Sequence, residues 1–239
     1  MGSFIFDLTR VKRALERIPE IIDHTLLKPI ASRDEVLNHC SEARKEGVRA
    51  FCVSPYFVKL AKEALRGSQV RLCTVVGFPL GFEPIDIKAL EASRYLETGA
   101  DEIDMVANLH AIKMHNWEYL REEISRISEI AHEYGASLKV IIETGYLDDH
   151  EMIMATEVVA KAKADFVKTC TGFGPRGVSL HDIAIIAPVA HRLGIGVKAA
   201  GGIRRLEELL ALVAAGADII GTSSGLAIIK AWKALRGST

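Results

Sequence analysis

Eight short apolar runs, rich in Val and Ile, recur along the chain at residues 21–27, 48–54, 70–78, 101–108, 137–144, 165–171, 195–202 and 217–223. Between them the apolar positions switch to helical spacing. Trp117, Leu120, Ile124, Ile127, Ala131 and Tyr134 fall on one helix face behind the cap candidate Asn116. Ile183, Ile186, Ala190 and Leu193 repeat the pattern behind Ser179, and Leu206, Leu209, Leu210 and Val213 form another stripe. Ser32 and Glu35 read as a capping box, each side chain satisfying a backbone N–H of the other. Gly47, Gly99, Gly135, Gly194 and Gly216 stand where a helix should stop and a strand begin. Residues 4–18 read as an extra helix ahead of the first strand. Near-continuous apolar strands alternating with helices predict a parallel sheet covered by helices. Eight such units without a linker predict an α/β chain forming one (β/α)8 TIM barrel domain over residues 1–239, with residues 1–20 as an N-terminal helical extension. The alternative is an open doubly wound sheet, which usually stops at five to seven strands.

Composition narrows the partners. Thirty Lys and Arg face 31 Asp and Glu, a formal net charge of −1. That balance argues against a nucleic-acid or membrane-surface partner, which usually leaves a basic excess. The longest uncharged runs, residues 72–82 and 219–229, have about 11 residues where a bilayer needs roughly 20. The first residues lack the basic start and long apolar core of a signal peptide. None of Cys40, Cys52, Cys73 and Cys170 forms a CxxC pair, and Cys40 and Cys73 read as small buried apolar residues. A reducing, cytoplasmic setting is expected.

In a barrel of this kind the chemistry sits at the C-terminal ends of the strands. Polar residues in or at the ends of the apolar runs are therefore the candidates: Asp23, Thr25, Asp104, Asn108, Lys139, Glu143, Lys168, Thr171 and Lys198. Lys168 and Lys198 lie in the sixth and seventh runs, so they fall on neighbouring strands about 4.8 Å apart. Two like charges in one small cavity depress each other's pKa, and a neutral amine attacks carbonyls to form a Schiff base. The alternative is a structural ion-pair network of Lys139, Lys168, Lys198 and the strand carboxylates. Strand alternation puts Glu102 and Asp104 on one face, which makes Asp104 the acid–base candidate; Asp23 either orients a lysine or neutralises its charge. Gly201 and Gly202, and Gly221 to Gly225 with Ser223 and Ser224, follow the seventh and eighth runs, the usual phosphate site of such barrels. Two further matches fail. The G-x-S-x-G at Gly221–Gly225 has no acid or His downstream, and Gly194-x-Gly196-x-x-Ala199 leads into a strand where a dinucleotide motif would follow one. The eight histidines show no metal spacing, although His24 lies inside the first run. No metal and no organic cofactor are expected.

These segments resemble the deoxyribose-phosphate aldolase family of class I aldolases. The likeness runs in order from Ile21 to Gly225 through Ile22-Asp23-His24-Thr25-Leu26-Leu27, Phe51-Cys52-Val53-Ser54-Pro55, Val76-Gly77-Phe78-Pro79-Leu80-Gly81, Glu102-Ile103-Asp104-Met105-Val106, Leu138-Lys139-Val140-Ile141-Ile142-Glu143-Thr144, Val167-Lys168-Thr169-Cys170-Thr171-Gly172 and Val197-Lys198-Ala199-Ala200-Gly201-Gly202-Ile203-Arg204. The resemblance implies that Lys168 forms the imine, that Asp104 and Lys198 move protons, and that Asp23 belongs to the same cluster. It implies a phosphate site at Thr171, Gly172, Gly201, Gly202, Ser223 and Ser224, and reversible cleavage of 2-deoxy-D-ribose 5-phosphate to D-glyceraldehyde 3-phosphate and acetaldehyde. Cys170 stands where Ser is common and Ala199 where Pro is common. Phe173 stands where some members have Lys, so Arg176, with Arg204 as second candidate, is expected to supply the missing cation. A homo-oligomer is expected. The alternatives are another Schiff-base aldolase or transaldolase, a phosphosugar isomerase, and a non-catalytic sugar-phosphate binder.

Overall fold

A computed structural model describes residues 6–237. Its eight strands are β1 (Ile22–Leu26), β2 (Ala50–Val53), β3 (Arg71–Val76), β4 (Glu102–Val106), β5 (Ser137–Ile141), β6 (Phe166–Lys168), β7 (Gly196–Ala200) and β8 (Ile219–Thr222). Every neighbouring pair is parallel, and β8 returns to β1, so the sheet closes into a barrel. Each apolar run holds one strand. The open-sheet alternative is excluded by the β1–β8 pairing.

The helices are α1 (Leu8–Glu16), α2 (Arg33–Glu46), α3 (Val58–Ala64), α4 (Ile85–Glu97), α5 (Leu109–Lys113), α6 (Trp117–Glu133), α7 (Asp149–Lys161), α8 (Leu180–Arg192), α9 (Leu206–Ala215) and α10 (Gly225–Gly237). Ser32, Asn116 and Ser179 cap α2, α6 and α8 as their positions suggest. The five helix-ending glycines all have positive φ. The N-terminal helix is shorter than the sequence implies. Asp7 caps it by accepting from Thr9 N, and Arg17 at φ −148° ends it before a 3-10 turn over Ile18–Ile21 that begins with Pro19 as its second residue. Phe4 and Ile5 lie outside the described residues. Among the described residues no helix is long and apolar enough to cross a membrane.

The main apolar core lies between the barrel and its helices, where Val36, Leu72, Ile103, Leu120, Val140, Ile186, Leu209 and Ile229 are all buried. The barrel interior is different. Its apolar part includes a small cluster of Cys52, Cys73 and Val75, together with Val106, Ile141 and Ile219 in register with the charged positions, and its centre is charged. All four cysteines are free and buried.

His24 proves to be a packing residue on the outer side of β1. Its Nε2 lies 2.6 Å from Nδ1 of His39 on α2, and the rings stack at 4.8 Å. Burial first, then the neighbouring His39, pushes its pKa down from 6.5 to about 4. Above pH 6.5 the ring is neutral in both states and contributes nothing. Between 6.5 and 4 the unfolded chain takes a proton that the native chain refuses, so stability falls with pH. The full loss is about 3 kcal/mol at 1.36 kcal/mol per unit. Urea titrations at pH 7.5 and 4.5 should show that this part of the acid sensitivity disappears in His24→Leu; an equal acid loss in both proteins would place the proton elsewhere.

Candidate active site

The interior charges come from six strands or their edges. Asp23 sits on β1, Arg49 just ahead of β2, Glu102 and Asp104 on β4, Lys139 on β5, Lys168 on β6 and Lys198 on β7. Register makes Asp104 and Lys139 partners, and likewise Lys168 and Lys198, so the side chains meet without any loop rearrangement.

Asp104 is the hub. Its Oδ2 accepts from Lys168 Nζ at 2.7 Å and from Lys198 Nζ at 2.7 Å, and its Oδ1 accepts from Lys139 Nζ at 3.0 Å. Each outer lysine has a second carboxylate: Lys198 lies 2.6 Å from Asp23 Oδ2, and Lys139 lies 2.6 Å from Glu102 Oε2. Lys168 pairs with Asp104 alone. Below this layer Arg49 joins Asp23 to Glu102, at 2.7 and 2.6 Å, and Arg71 reaches Glu102 from the rim. Burial alone would raise the Asp104 carboxyl, but Lys139, Lys168 and Lys198 hold it well below the ordinary aspartate value. Burial would lower Lys198, and Asp104 and Asp23 raise it well above the ordinary lysine value, so it remains a cation. Lys139 is raised for the same reason, by Asp104 and Glu102 among others. The lysines match the ion-pair reading: Lys198, expected to be depressed by its neighbour's like charge, is raised by the carboxylates instead. They form an ion-pair network, and two of them share one carboxylate oxygen at the top of the barrel.

Gly221 makes room for this arrangement. A Cβ there would stand 2.9 Å from Lys198 Cε.

Above the network opens a cavity of about 330 Å³, lined by Lys168, Thr25, Leu27 and Lys28 on one side. Thr171, Gly172, Phe173, Gly201, Gly202, Arg204 and Ser223 complete it. Lys139 and Lys198 do not reach its wall. The expected glycines and Ser223 are thus at the lip, and Gly201 and Gly202 have φ of 104° and 79°, conformations natural to glycine. Ser224 is not on the wall, and its N–H is taken by Thr222 Oγ1. Thr171 gives both its N–H and its hydroxyl to Glu143 Oε2, and Phe173 N–H goes to Thr171 Oγ1. Gly172, Gly201, Gly202 and Ser223 line the cavity with backbone and a short polar side chain.

The two arginines separate. Arg204 is exposed on the cavity wall. Arg176 is absent from that wall: its guanidinium bonds Asp182 at 2.7 and 2.9 Å and Thr144 O at 3.1 Å. The expectation that Arg176 leads is therefore replaced by Arg204. Sharing a loop with Phe173 did not bring the guanidinium to the same side of it, because Asp182 is buried and captures it.

Sequence reasoning missed three residues. Arg49 stands at the start of the second apolar run, one residue ahead of β2, and looks like a solvated charge. Asp182 occupies a capping-box position, which conceals its second role as the anchor of Arg176 and of Thr144 Oγ1, at 2.8 Å. Lys28 lines the cavity but is held by Glu35.

A family model for the DeoC/LacD family aldolases matches residues 20–231. The chain belongs to the DeoC/LacD aldolase family. This aldolase is 48% identical over 215 residues to the deoxyribose-phosphate aldolase of Thermococcus gammatolerans, covering 89% of this chain and 95% of that one. It is 44% identical over 227 residues to the deoxyribose-phosphate aldolase of Caldanaerobacter subterraneus, covering 95% and 98%. The tetrameric crystal structure of the deoxyribose phosphate aldolase from Aeropyrum pernix superposes with a TM-score of 0.85 at 37% identity, covering 95% and 97%.

The lower network should matter for stability. Glu102 is buried and receives Arg49, Arg71 and Lys139. Glu102→Gln removes the charge and leaves Lys139 and Arg49 undercompensated, a loss of about 3–5 kcal/mol by analogy with other broken buried pairs. A denaturant midpoint unchanged from the parent would show that Asp23 and Asp104 carry the lysine and arginine without it.

Proposed function

We infer that this aldolase cleaves 2-deoxy-D-ribose 5-phosphate reversibly to D-glyceraldehyde 3-phosphate and acetaldehyde through an imine at Lys168. One observation carries the assignment: of the three lysines on Asp104, Lys168 alone lines the cavity and has no second carboxylate. The interior cluster of Asp23, Glu102 and Asp104 faces Arg49, Lys139, Lys168 and Lys198, three anions against four cations. Arg71, half-exposed at the rim, adds a further cation on Glu102. Neutralising one lysine lowers this positive excess, and the one with the fewest anionic partners is the least costly to neutralise.

The amine of Lys168 adds to the substrate aldehyde, and loss of water gives a protonated imine. That cation takes up the electron pair of the breaking C–C bond, leaving an enamine, while the adjacent hydroxyl gives up its proton. Asp104 and Lys198 share an oxygen with Lys168 and form the relay by which that proton leaves and another reaches the enamine carbon. Asp23 holds Lys198 in place. At the other end the phosphate meets the Gly172, Gly201, Gly202 and Ser223 backbone and Arg204. An isomerase would need only a carboxylate base, and a pure binding protein has no use for an amine on the cavity wall. The 37% identical Aeropyrum enzyme is described as tetrameric, which supports a homo-oligomer for this chain as well.

Borohydride added with acetaldehyde should inactivate the protein and leave a two-carbon adduct on Lys168 in peptide maps. An adduct on Lys198 or Lys139 would refute the assignment.

The phosphate end makes a separate prediction. A phosphomonoester carries about −1.5 to −2 charges. Losing one charge-assisted hydrogen bond, at about 1.5–3 kcal/mol, should raise KM roughly 10- to 100-fold. Arg204→Ala should do so for the phosphorylated substrate and leave plain 2-deoxyribose nearly unaffected. Arg176→Ala, which loosens the loop from Asp182, should impair both substrates alike. A phosphate-selective loss in Arg176→Ala instead would return the anion to that residue.

A further inference from the structure

Two thiols lie beside the relay, and the reaction uses neither. Cys52 and Cys73 are register partners on β2 and β3 and face the barrel interior. Cys73 Sγ lies 3.1 Å from Asp104 Oδ1 and 3.6 Å from Lys139 Nζ. The two sulfurs and an Asp104 oxygen all fall within 4.8 Å of one another. Leu27 and Phe78 pack over the pair, and Leu27 also lines the cavity, so the thiols sit just beneath the substrate's entrance.

We propose that Cys52, Cys73 and Asp104 form an inhibitory site for a thiophilic divalent cation, with zinc or cadmium as the matching ions. Zinc–sulfur bonds of about 2.3 Å at tetrahedral angles place two sulfurs about 3.8 Å apart, inside the observed limit. The charge bookkeeping is favourable. Two thiols lose two protons as one dication enters, forming two metal–sulfur bonds, with both protons passing to solvent. The interior therefore keeps its net charge, and the neighbouring ammonium groups meet no added charge overall. Soft thiolates select zinc or cadmium over magnesium or calcium. The third ligand decides the consequence. An Asp104 oxygen given to a metal is withdrawn from Lys139, or from Lys168 and Lys198, so occupancy breaks the proton relay. Metal binding itself does not depend on the aldolase assignment; only the inhibition does.

Cadmium added to the reduced, chelator-treated protein provides a direct readout, because cadmium thiolates have their own ultraviolet charge-transfer absorption. One cadmium per chain with that absorption is expected. Cys52→Ser and Cys73→Ser should each lose it and weaken cadmium at least as much as the about 10- to 100-fold typical of lost outer-sphere partners. Cys40→Ser and Cys170→Ser, which change the other two thiols, should keep it. Should a serine variant misfold by circular dichroism, the alanine variant at the same position replaces it. Zinc should inhibit turnover, magnesium should not, and a chelator should restore the rate. Retention of the absorption in both Cys52 and Cys73 variants, or no stoichiometric cadmium in the parent protein, overturns the site. Stoichiometric cadmium on these two thiols with undiminished turnover would keep the site and overturn its inhibitory role, leaving the imine assignment to the borohydride trap.

Discussion

A single carboxylate holds three ammonium groups within 3.0 Å at the top of the barrel. Everything else in the interior follows from that contact. Three buried lysines without Asp104 would each carry a desolvation cost of several kcal/mol with no compensation at their common centre. With Asp104 in place the charges still do not balance, so further anions are needed. Asp23 and Glu102 supply them, and Arg49 ties those two together from below. The result is a column of alternating charge running from the N-terminal rim, at Arg71, up to the cavity at Lys168. An apolar filling of the same barrel would often be as stable or more so, since buried ion pairs seldom gain over well-packed hydrocarbon.

The fold was legible because it depends on short-range chemistry. Apolar runs repeat eight times, with capping residues and helix-ending glycines marking several of the helices between them, and each obeys rules that act over a few residues. Two of the buried lysines were legible for a related reason: Lys168 and Lys198 interrupt apolar runs, and a charge in such a place needs an explanation. Arg49 escaped because it stands near the start of its run, one residue ahead of the strand, where a solvated charge is ordinary, although only 15% of its side chain is exposed. Asp182 escaped because one carboxylate serves two purposes. It closes the Ser179 cap and also takes Arg176, and only the first is visible in local spacing. Arg176 shows the limit most clearly. Adjacency to Phe173 along the chain suggested the phosphate, but a buried anion on the far side of the loop is a stronger partner than an exposed one in water.

The loop after β6 connects the two ends of the site. It leaves the barrel directly after Lys168, so any slack in it would displace both the amine and the cavity wall at Thr171, Gly172 and Phe173. Two anchors remove that slack. Glu143, on the neighbouring strand's exit at φ 51°, accepts the Thr171 amide and hydroxyl. Asp182 and Arg176 clamp the far end of the loop to Thr144. Both anchors rest on the segment after β5, so the loop is referenced to one rigid neighbour. Phe173 packs edge-on against Phe78 across the mouth, at 5.5 Å between centroids.

This division also explains why the cavity can dispense with a lysine at position 173. The charged column already places excess positive charge beneath the substrate, and an ammonium above it would add to the repulsion that the carboxylates are offsetting. Glycine backbone at the lip gives an anion hydrogen bonds with only partial charge. Arg204 stands exposed at the edge, where water screens it from the column. Full charge is thus concentrated in the column, while glycine backbone, with Lys28 and Arg204 beside it, lines the cavity above.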